Sequence, residues 1–135
     1  MNIYVVGSGK LATAILNSSV TFPSCDILKW SSEAQYTSEK AIIVHAGSGR
    51  ELNELLAFCA KTNSVLIELS TGLETENLKS DFPLIICPNT SILMLKTLNL
   101  LRKYGCVFSE YEISITESHQ AAKATEPGTA YAFAD

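Results

Sequence analysis

The chain has 135 residues, of which 47% are hydrophobic and 18% are charged, and its formal net charge at pH 7 is −4. This length and composition are typical of a globular chain of about one domain and exclude a disordered one. The negative charge and the lack of a basic stripe exclude nucleic acid and anionic membrane surfaces as expected partners, and no apolar run reaches the length of a membrane span.

The four cysteines lie far apart in the sequence and form no C-x-x-C pair. Three of them sit within apolar runs, where a free thiol behaves as a small hydrophobic group. We therefore expect no disulfides and no metal site. The N-terminus has no charged n-region, extended apolar segment or cleavage site, so we expect a cytoplasmic protein.

The N-terminal stretch predicts a strand that runs into a glycine turn and then a helix. Residues 3–6 are β-branched or aromatic, and Gly7, Gly9 and Ala12 follow with the spacing G-x-G-x-x-A. In a dinucleotide site the first glycine permits a sharp turn and the second lets a pyrophosphate approach the backbone, where the free amides of the helix start would face it. An ordinary turn is the alternative. The loop residues predicted to contact a cofactor are Gly7, Ser8, Gly9, Lys10 and Leu11.

The second predicted strand, residues 26–30, ends where dinucleotide folds contact the adenosine ribose. Lys29 and Ser31 suit the 2′-phosphate of NADP, whereas Glu33 suits the free 2′-hydroxyl of NAD. A solvated loop is an equally open interpretation for each residue. We expect NADP or NAD as the cofactor, with NADPH preferred.

Three further apolar strands are predicted at residues 41–45, 65–69 and 83–87, with helices at residues 50–61 and 91–104. Strands that alternate with helices over short connections predict a Rossmann-like, doubly wound parallel sheet. The third strand ends in a glycine-rich segment that begins at Ala46, a predicted cofactor contact at the carboxyl edge of the sheet. His45 could border the ligand crevice that open α/β sheets have at this edge, although a histidine at a strand end is more often simply hydrogen-bonded.

The pattern changes after the last predicted helix, which is apolar on most faces and which we expect to be buried. Residues 106–116 alternate between apolar and polar side chains and predict a strand. We place a domain boundary near Ser109, between a dinucleotide-binding domain at 1–108 and the start of a small α+β substrate domain at 109–135. An unpaired edge on that strand predicts a homo-oligomer.

The tail carries side chains suited to an anionic substrate. His119 and Lys123 are four residues apart, so they project from one face if the segment is helical. Residues 127–130 form a turn whose amides and Thr129 hydroxyl could hold an anion. A surface histidine and lysine on a solvated helix is the alternative.

The chain resembles the 4-hydroxy-tetrahydrodipicolinate reductase (dihydrodipicolinate reductase) family in motifs that span nearly its whole length. The family's tail motif, E-x-H-H-x-x-K-x-D-x-P-S-G-T-A, is matched by residues 117–130, which read E-S-H-Q-A-A-K-A-T-E-P-G-T-A. The family's G-T-T-G and A-N-F-S motifs appear as L-S-T-G at 69–72 and P-N-T-S at 88–91. The glycine loop matches with one residue fewer.

The resemblance implies hydride transfer from NAD(P)H to a cyclic, unsaturated dicarboxylate in lysine and diaminopimelate biosynthesis. By this match His119 is the proton donor and Lys123 its cationic partner, roles that an imidazole and an ammonium can fill near neutral pH. The other residues that the resemblance implies are Gln120, Lys123, Gly128 and Thr129 at the substrate and Thr71, Gly72 and Asn89 along the nicotinamide, with Ser70 as a further cofactor contact.

Two other functions stay open. Gln120 and Thr125 replace a His and an Asp of the family motif, and the Ser before Gly128 is missing. These departures favour a non-catalytic dinucleotide-binding module, and the end of the chain at Asp135 favours a piece of a longer protein or a reduced substrate domain. The other open function is that of an oxidoreductase of the same fold that acts on a different small carboxylate.

Overall fold

A computed structural model describes residues 1–36, 39–71, 73–87, 89–118, 130 and 133–134. The chain divides into two compact units, residues 1–88 and residues 89–135. This division falls earlier than the domain boundary predicted near Ser109, which stays a prediction. The two units are described separately below.

The first unit is an α/β structure whose elements follow the predicted order. Each strand predicted for this unit is present; β1 is one residue longer than predicted, the other four are one or two residues shorter, and the two expected helices lie between strands. Two short 3₁₀ turns, Ala34–Tyr36 and Glu74–Asn77, occupy the remaining connections. The strands and helices are β1 (Asn2–Val6), α1 (Lys10–Leu16), β2 (Asp26–Lys29), β3 (Ile42–His45), α2 (Leu52–Thr62), β4 (Val65–Glu68) and β5 (Leu84–Ile86).

The five strands form one parallel sheet in the order β2-β1-β3-β4-β5. The chain therefore builds the sheet outward from β1, first on one side and then on the other. The register pairs Val6 with His45 and His45 with Glu68. Because these residues end their strands, the carboxyl ends of β1, β3 and β4 lie level at one edge of the sheet.

The core forms where α2 covers the sheet. The leucine and cysteine pattern of α2 predicts its buried face, and Leu55 and Cys59 are indeed fully buried. Trp30, just after β2, packs edge-on against Tyr4 at 5.5 Å and against Phe58 at 5.3 Å between ring centroids. Burial raises the pKa of the Cys59 thiol to about 12, so this cysteine is a neutral packing group and not a nucleophile.

The second unit begins with α3 (Ile92–Tyr104), which is capped by the Ser91 hydroxyl accepting from the amide of Met94 at 3.5 Å. The expectation that this helix is buried is wrong, because none of its residues is buried. No helix in the described part of the chain is long and apolar enough to cross a membrane.

The prediction of a strand at residues 106–116 is also wrong. Gly105–Phe108 form a 3₁₀ turn, and residues 109–118 have no regular structure. A strand is stable only when its backbone groups pair with another strand, and the described part of this unit supplies none. Alternation of apolar and polar residues is therefore not sufficient to form a strand in this segment.

The second unit exposes many large apolar side chains, and we expect it to self-associate through them. Leu93 is 72% exposed and Val107 is 68% exposed. Burying such side chains against a second copy removes apolar surface from water. Light scattering at micromolar concentration should give at least twice the monomer mass of 14.6 kDa.

Leu93→Lys or Val107→Lys should lower that mass without changing the stability of the sheet unit. Val20→Lys, at a 56% exposed position in the first unit, is the matched control and should leave the mass unchanged. A monodisperse protein of 14.6 kDa would contradict self-association.

Candidate functional site

The turn after β1 requires a residue without a side chain at position 7, which is Gly7. This residue has φ +126°, in a region that favours glycine. A Cβ placed there would lie 2.7 Å from the carbonyl carbon of Ala46, closer still to its oxygen, and 3.1 Å from the Cα of Gly47. The segment that leaves β3 therefore passes directly against the glycine turn.

Gly9 differs from Gly7 because nothing lies within 4 Å of the position where its Cβ would be. It is the N-cap of α1 with an ordinary φ of −78°, and no side chain caps the helix. Lys10 and Leu11 open the helix and are exposed. Since α1 has only seven residues, its N-terminus alone does not define an anion site.

A cleft of about 290 Å³ opens between the ends of β1 and β2. It brings together four of the residues predicted to contact a cofactor, whereas Glu33 is not among the residues that line it. The lining residues are Val5, Val6, Gly7, Ser8, Lys29, Trp30, Ser31, Ser32, Glu51 and Glu54.

The described lining of this cleft carries charges of both signs. Lys29 supplies the cation, while Glu51 and Glu54, from the start of α2, supply two carboxylates. Trp30 Nε1 donates a hydrogen bond to Glu54 Oε1 at 3.1 Å, which fixes one carboxylate oxygen and leaves the other for a ligand. Sequence reasoning missed both carboxylates because they lie more than twenty residues beyond β2 in the chain.

The ends of β3 and β4 hold a buried His–Glu pair. His45 and Glu68 are both 0% exposed, and His45 Nδ1 donates to the Glu68 carboxylate, 2.8 Å from each oxygen. Two more donors reach the same carboxylate, the amide of Ser70 at 2.8 Å and the hydroxyl of Thr75 at 3.4 Å. The two oxygens of one carboxylate can accept from all three donors at once.

The other ring nitrogen of His45 is the one buried side-chain polar atom without a hydrogen-bond partner in the described residues. It points at Gly47, where a Cβ would come within 2.9 Å of His45 Nε2. In the tautomer that donates from Nδ1, Nε2 carries no proton, and the desolvation of such a nitrogen costs less than that of an unpaired N–H.

The exit loops of β3 and β4 are joined by a second bond, from the Ser70 hydroxyl to the carbonyl oxygen of Gly47 at 2.8 Å. Of the predicted cofactor contacts, Ala46 and Ser70 thus lie at the same edge, with Thr71 next to Ser70. Asn89 lies in the second unit, where its side chain accepts from the amide of Ser91 at 2.9 Å.

Several predicted site residues lie outside the residues that the structure describes. They are Gly72 at the nicotinamide, the catalytic pair His119 and Lys123, and the substrate contacts Gln120, Gly128 and Thr129. Glu68, by contrast, is a candidate that sequence reasoning missed. Its signal was a carboxylate inside an apolar strand (V-L-I-E-L), because such a residue requires a buried partner.

Comparisons of the chain with protein-family models, with curated proteins and with solved structures give no match. The family resemblance therefore depends on the sequence motifs alone.

The two glycines of the first turn should respond differently to alanine. Gly7→Ala puts a methyl group against backbone atoms of Ala46 at a positive φ, so we expect the free energy of unfolding to fall by at least about 2 kcal/mol. Gly9→Ala meets open space and should cost less than about 1 kcal/mol. Urea unfolding followed by the fluorescence of the single tryptophan measures both, and equal losses would contradict the close contact at Gly7.

Proposed function

We propose that the chain is an NAD(P)H-dependent reductase with a Rossmann-like nucleotide unit. Its proposed substrate is a cyclic, unsaturated dicarboxylate of the 4-hydroxy-tetrahydrodipicolinate type, in lysine and diaminopimelate biosynthesis. The observation that carries the proposal is the crevice at the carboxyl edge of the sheet, where the glycine turn after β1 lies between a polar cleft and the exit loops of β3 and β4. In open α/β sheets ligands bind at this edge, where the strand order reverses.

The strand order supports this location for a cofactor. The reversal lies between β1 and β3, the two strands whose ends meet at Gly7 and Ala46. The observed order, 2-1-3-4-5, is that of flavodoxin-like doubly wound sheets, whereas the Rossmann order has a further strand outside β2; both kinds of sheet bind their ligands at such a reversal. The polar, partly charged cleft beside this point, between the ends of β1 and β2, is what distinguishes the crevice from a plain turn.

A dinucleotide would lie across the glycine turn in this proposal. The adenosine end occupies the cleft beside Lys29, Ser31 and Trp30, and the pyrophosphate passes over the open backbone at Gly9. The nicotinamide end reaches the exit loops of β3 and β4, at Ala46, Ser70 and Thr71. The seven-residue α1 adds a small favourable dipole to the phosphate contact.

A bound reduced nicotinamide supplies the hydride. The residues of the chain supply the rest of the chemistry, by the roles that the family resemblance implies. His119 delivers a proton to the substrate as the hydride arrives, and Lys123 offsets the negative charge of a carboxylate. Gly128 and Thr129 hold a carboxylate through amides and a hydroxyl.

A non-catalytic dinucleotide-binding module is the second candidate. The observation that favours it is the replacement of a titratable His by Gln120 and of an Asp by Thr125 in the tail motif. Such a module would use the crevice in the same way and would differ only in turnover. Binding and turnover must therefore be measured separately.

Titration with NADPH and with NADH should quench the fluorescence of Trp30, because this residue lines the cleft and is the single tryptophan of the chain. Gly9→Ala should weaken binding about tenfold by placing a methyl group under the pyrophosphate. Gly105→Ala, at another position with no atom within 4 Å of the added Cβ, is the matched control and should bind as the wild type does. Failure of the wild type to bind either dinucleotide would contradict the proposal.

Oxidation of NADPH in the presence of the dicarboxylate substrate separates the two candidates. His119→Ala should lower turnover by about 10²–10⁴-fold, with unchanged dinucleotide affinity, because a proton donor acts only in the chemical step. Lys123→Ala should raise KM as well as lower kcat. A wild type that binds NADPH but shows no turnover would favour the non-catalytic module.

The cofactor preference should follow the charges in the cleft. A 2′-phosphate carries close to two negative charges, so the carboxylates of Glu51 and Glu54 oppose NADPH, and Lys29 favours it. Glu54→Gln keeps an acceptor for Trp30 and should shift the ratio of affinities toward NADPH by about threefold to tenfold. Lys29→Gln should shift it toward NADH by a similar factor.

Calorimetry at low salt measures both ratios, and the shifts should shrink as salt is added. An unchanged ratio in both variants would mean that the adenosine end does not bind in the cleft.

A further inference from the structure

We propose that Glu68 is a positioning residue for the nicotinamide end of the crevice. Its carboxylate holds the His45 ring and the Ser70 backbone in one arrangement and thereby joins the exit loops of β3 and β4. This inference rests on the proposed function, and the experiment below separates the failure of one from the failure of the other.

The first step is the place of Glu68 in the sheet. It ends β4 directly beside His45, the last residue of β3, and both side chains are fully buried. A carboxylate without exposure loses its hydration, which costs several kcal/mol unless protein donors replace the water. A position that needed only sheet packing would be filled by an apolar residue, as at Leu66 two residues earlier.

The second step is what the carboxylate holds. One oxygen accepts the amide of Ser70, and both oxygens accept from His45 Nδ1. Ser70 in turn donates its hydroxyl to the carbonyl of Gly47. The Glu68 carboxylate therefore links the imidazole to the backbone after β4, and the Ser70 hydroxyl links that segment to the backbone after β3.

The third step is the separation of this network from the adenosine cleft. His45, Glu68 and Ser70 are absent from the residues that line the cleft. The network meets the glycine turn at Gly47, where a Cβ would lie 3.5 Å from the Cα of Gly7. A change at Glu68 should therefore affect the nicotinamide half of a dinucleotide and spare the adenosine half.

The test is a Glu68→Gln variant of the full chain. Glutamine keeps the shape but offers one acceptor oxygen and one amino group, so it cannot accept from His45 and Ser70 with both oxygens. If the amide oxygen stays with Ser70, the amino group faces His45 and forces the ring into its other tautomer. The proton then moves to Nε2, which has no acceptor in the described residues.

Two measurements report the result. Calorimetry should show the affinity for NADPH falling about tenfold while the affinity for adenosine 2′,5′-bisphosphate, its adenosine half, changes less than about twofold. Nitrogen-15 NMR of the histidine rings should show the Nδ1–H tautomer of His45 in the wild type and its loss in the variant. The chain has two histidines, so His119→Asn assigns the signals.

Ser70→Ala is the second variant, in case Glu68→Gln does not fold. It removes the link to Gly47 and leaves Glu68 and His45 paired, and it should weaken NADPH binding about threefold with no effect on the adenosine half. Thr75→Val, which removes the 3.4 Å bond alone, is the control and should bind both ligands as the wild type does.

The outcomes separate the two proposals. A folded Glu68→Gln or Ser70→Ala protein that binds NADPH as the wild type does would overturn the role of Glu68 and leave the proposed function intact. Equal weakening of the binding of NADPH and of its adenosine half would also overturn the role of Glu68, because that result means general damage to the fold. A wild type that binds neither ligand would overturn both proposals.

Discussion

The backbone of Gly7 meets the backbone of Ala46 and Gly47 where β1 and β3 end, and the crevice depends on that contact. Gly7 turns away from β1 at a positive φ, directly against the backbone of Ala46 and Gly47. The contact fixes the distance between the polar cleft on one side and the His45–Glu68 pair on the other. Any methyl group at Gly7 would separate the two strand exits, since its nearest neighbours are backbone atoms.

The elements of the sheet unit could be predicted from the sequence because local pattern and tertiary surroundings agree there. Each apolar strand segment pairs with a neighbouring strand, and the apolar residues of α2 recur at the helical spacing that puts them on its buried face. Residues 106–116 show why the same reasoning fails elsewhere. Their alternation is a local signal, whereas a strand exists only if a partner satisfies its backbone, and alternation contains no information about a partner.

The candidate site was predictable in the parts that follow chain order. The glycine turn and the residues after β2 stand at fixed offsets, so Gly7, Ser8, Lys29 and Ser31 could be placed in one cleft in advance. Glu54 could not, because it reaches the cleft from α2 through a bond with the Trp30 indole. Glu68 was hidden for another reason: its partner His45 is adjacent only once the register of β3 and β4 is known.

The approach of His45 Nε2 to Gly47 links two positions that are separated by one residue in the chain. The imidazole fills the volume that a side chain at 47 would need, so a Cβ there would lie only 2.9 Å from the ring nitrogen. A side chain at 47 therefore needs a smaller residue at 45, whereas glycine at 47 leaves room for the imidazole. A smaller residue at 45 leaves the buried carboxylate of Glu68 without its main donor, so that such a sequence should have lost the acid as well. A side chain at 47 would thus require changes at 45 and 68 as well, so the glycine is what lets the buried histidine and the buried acid stay together.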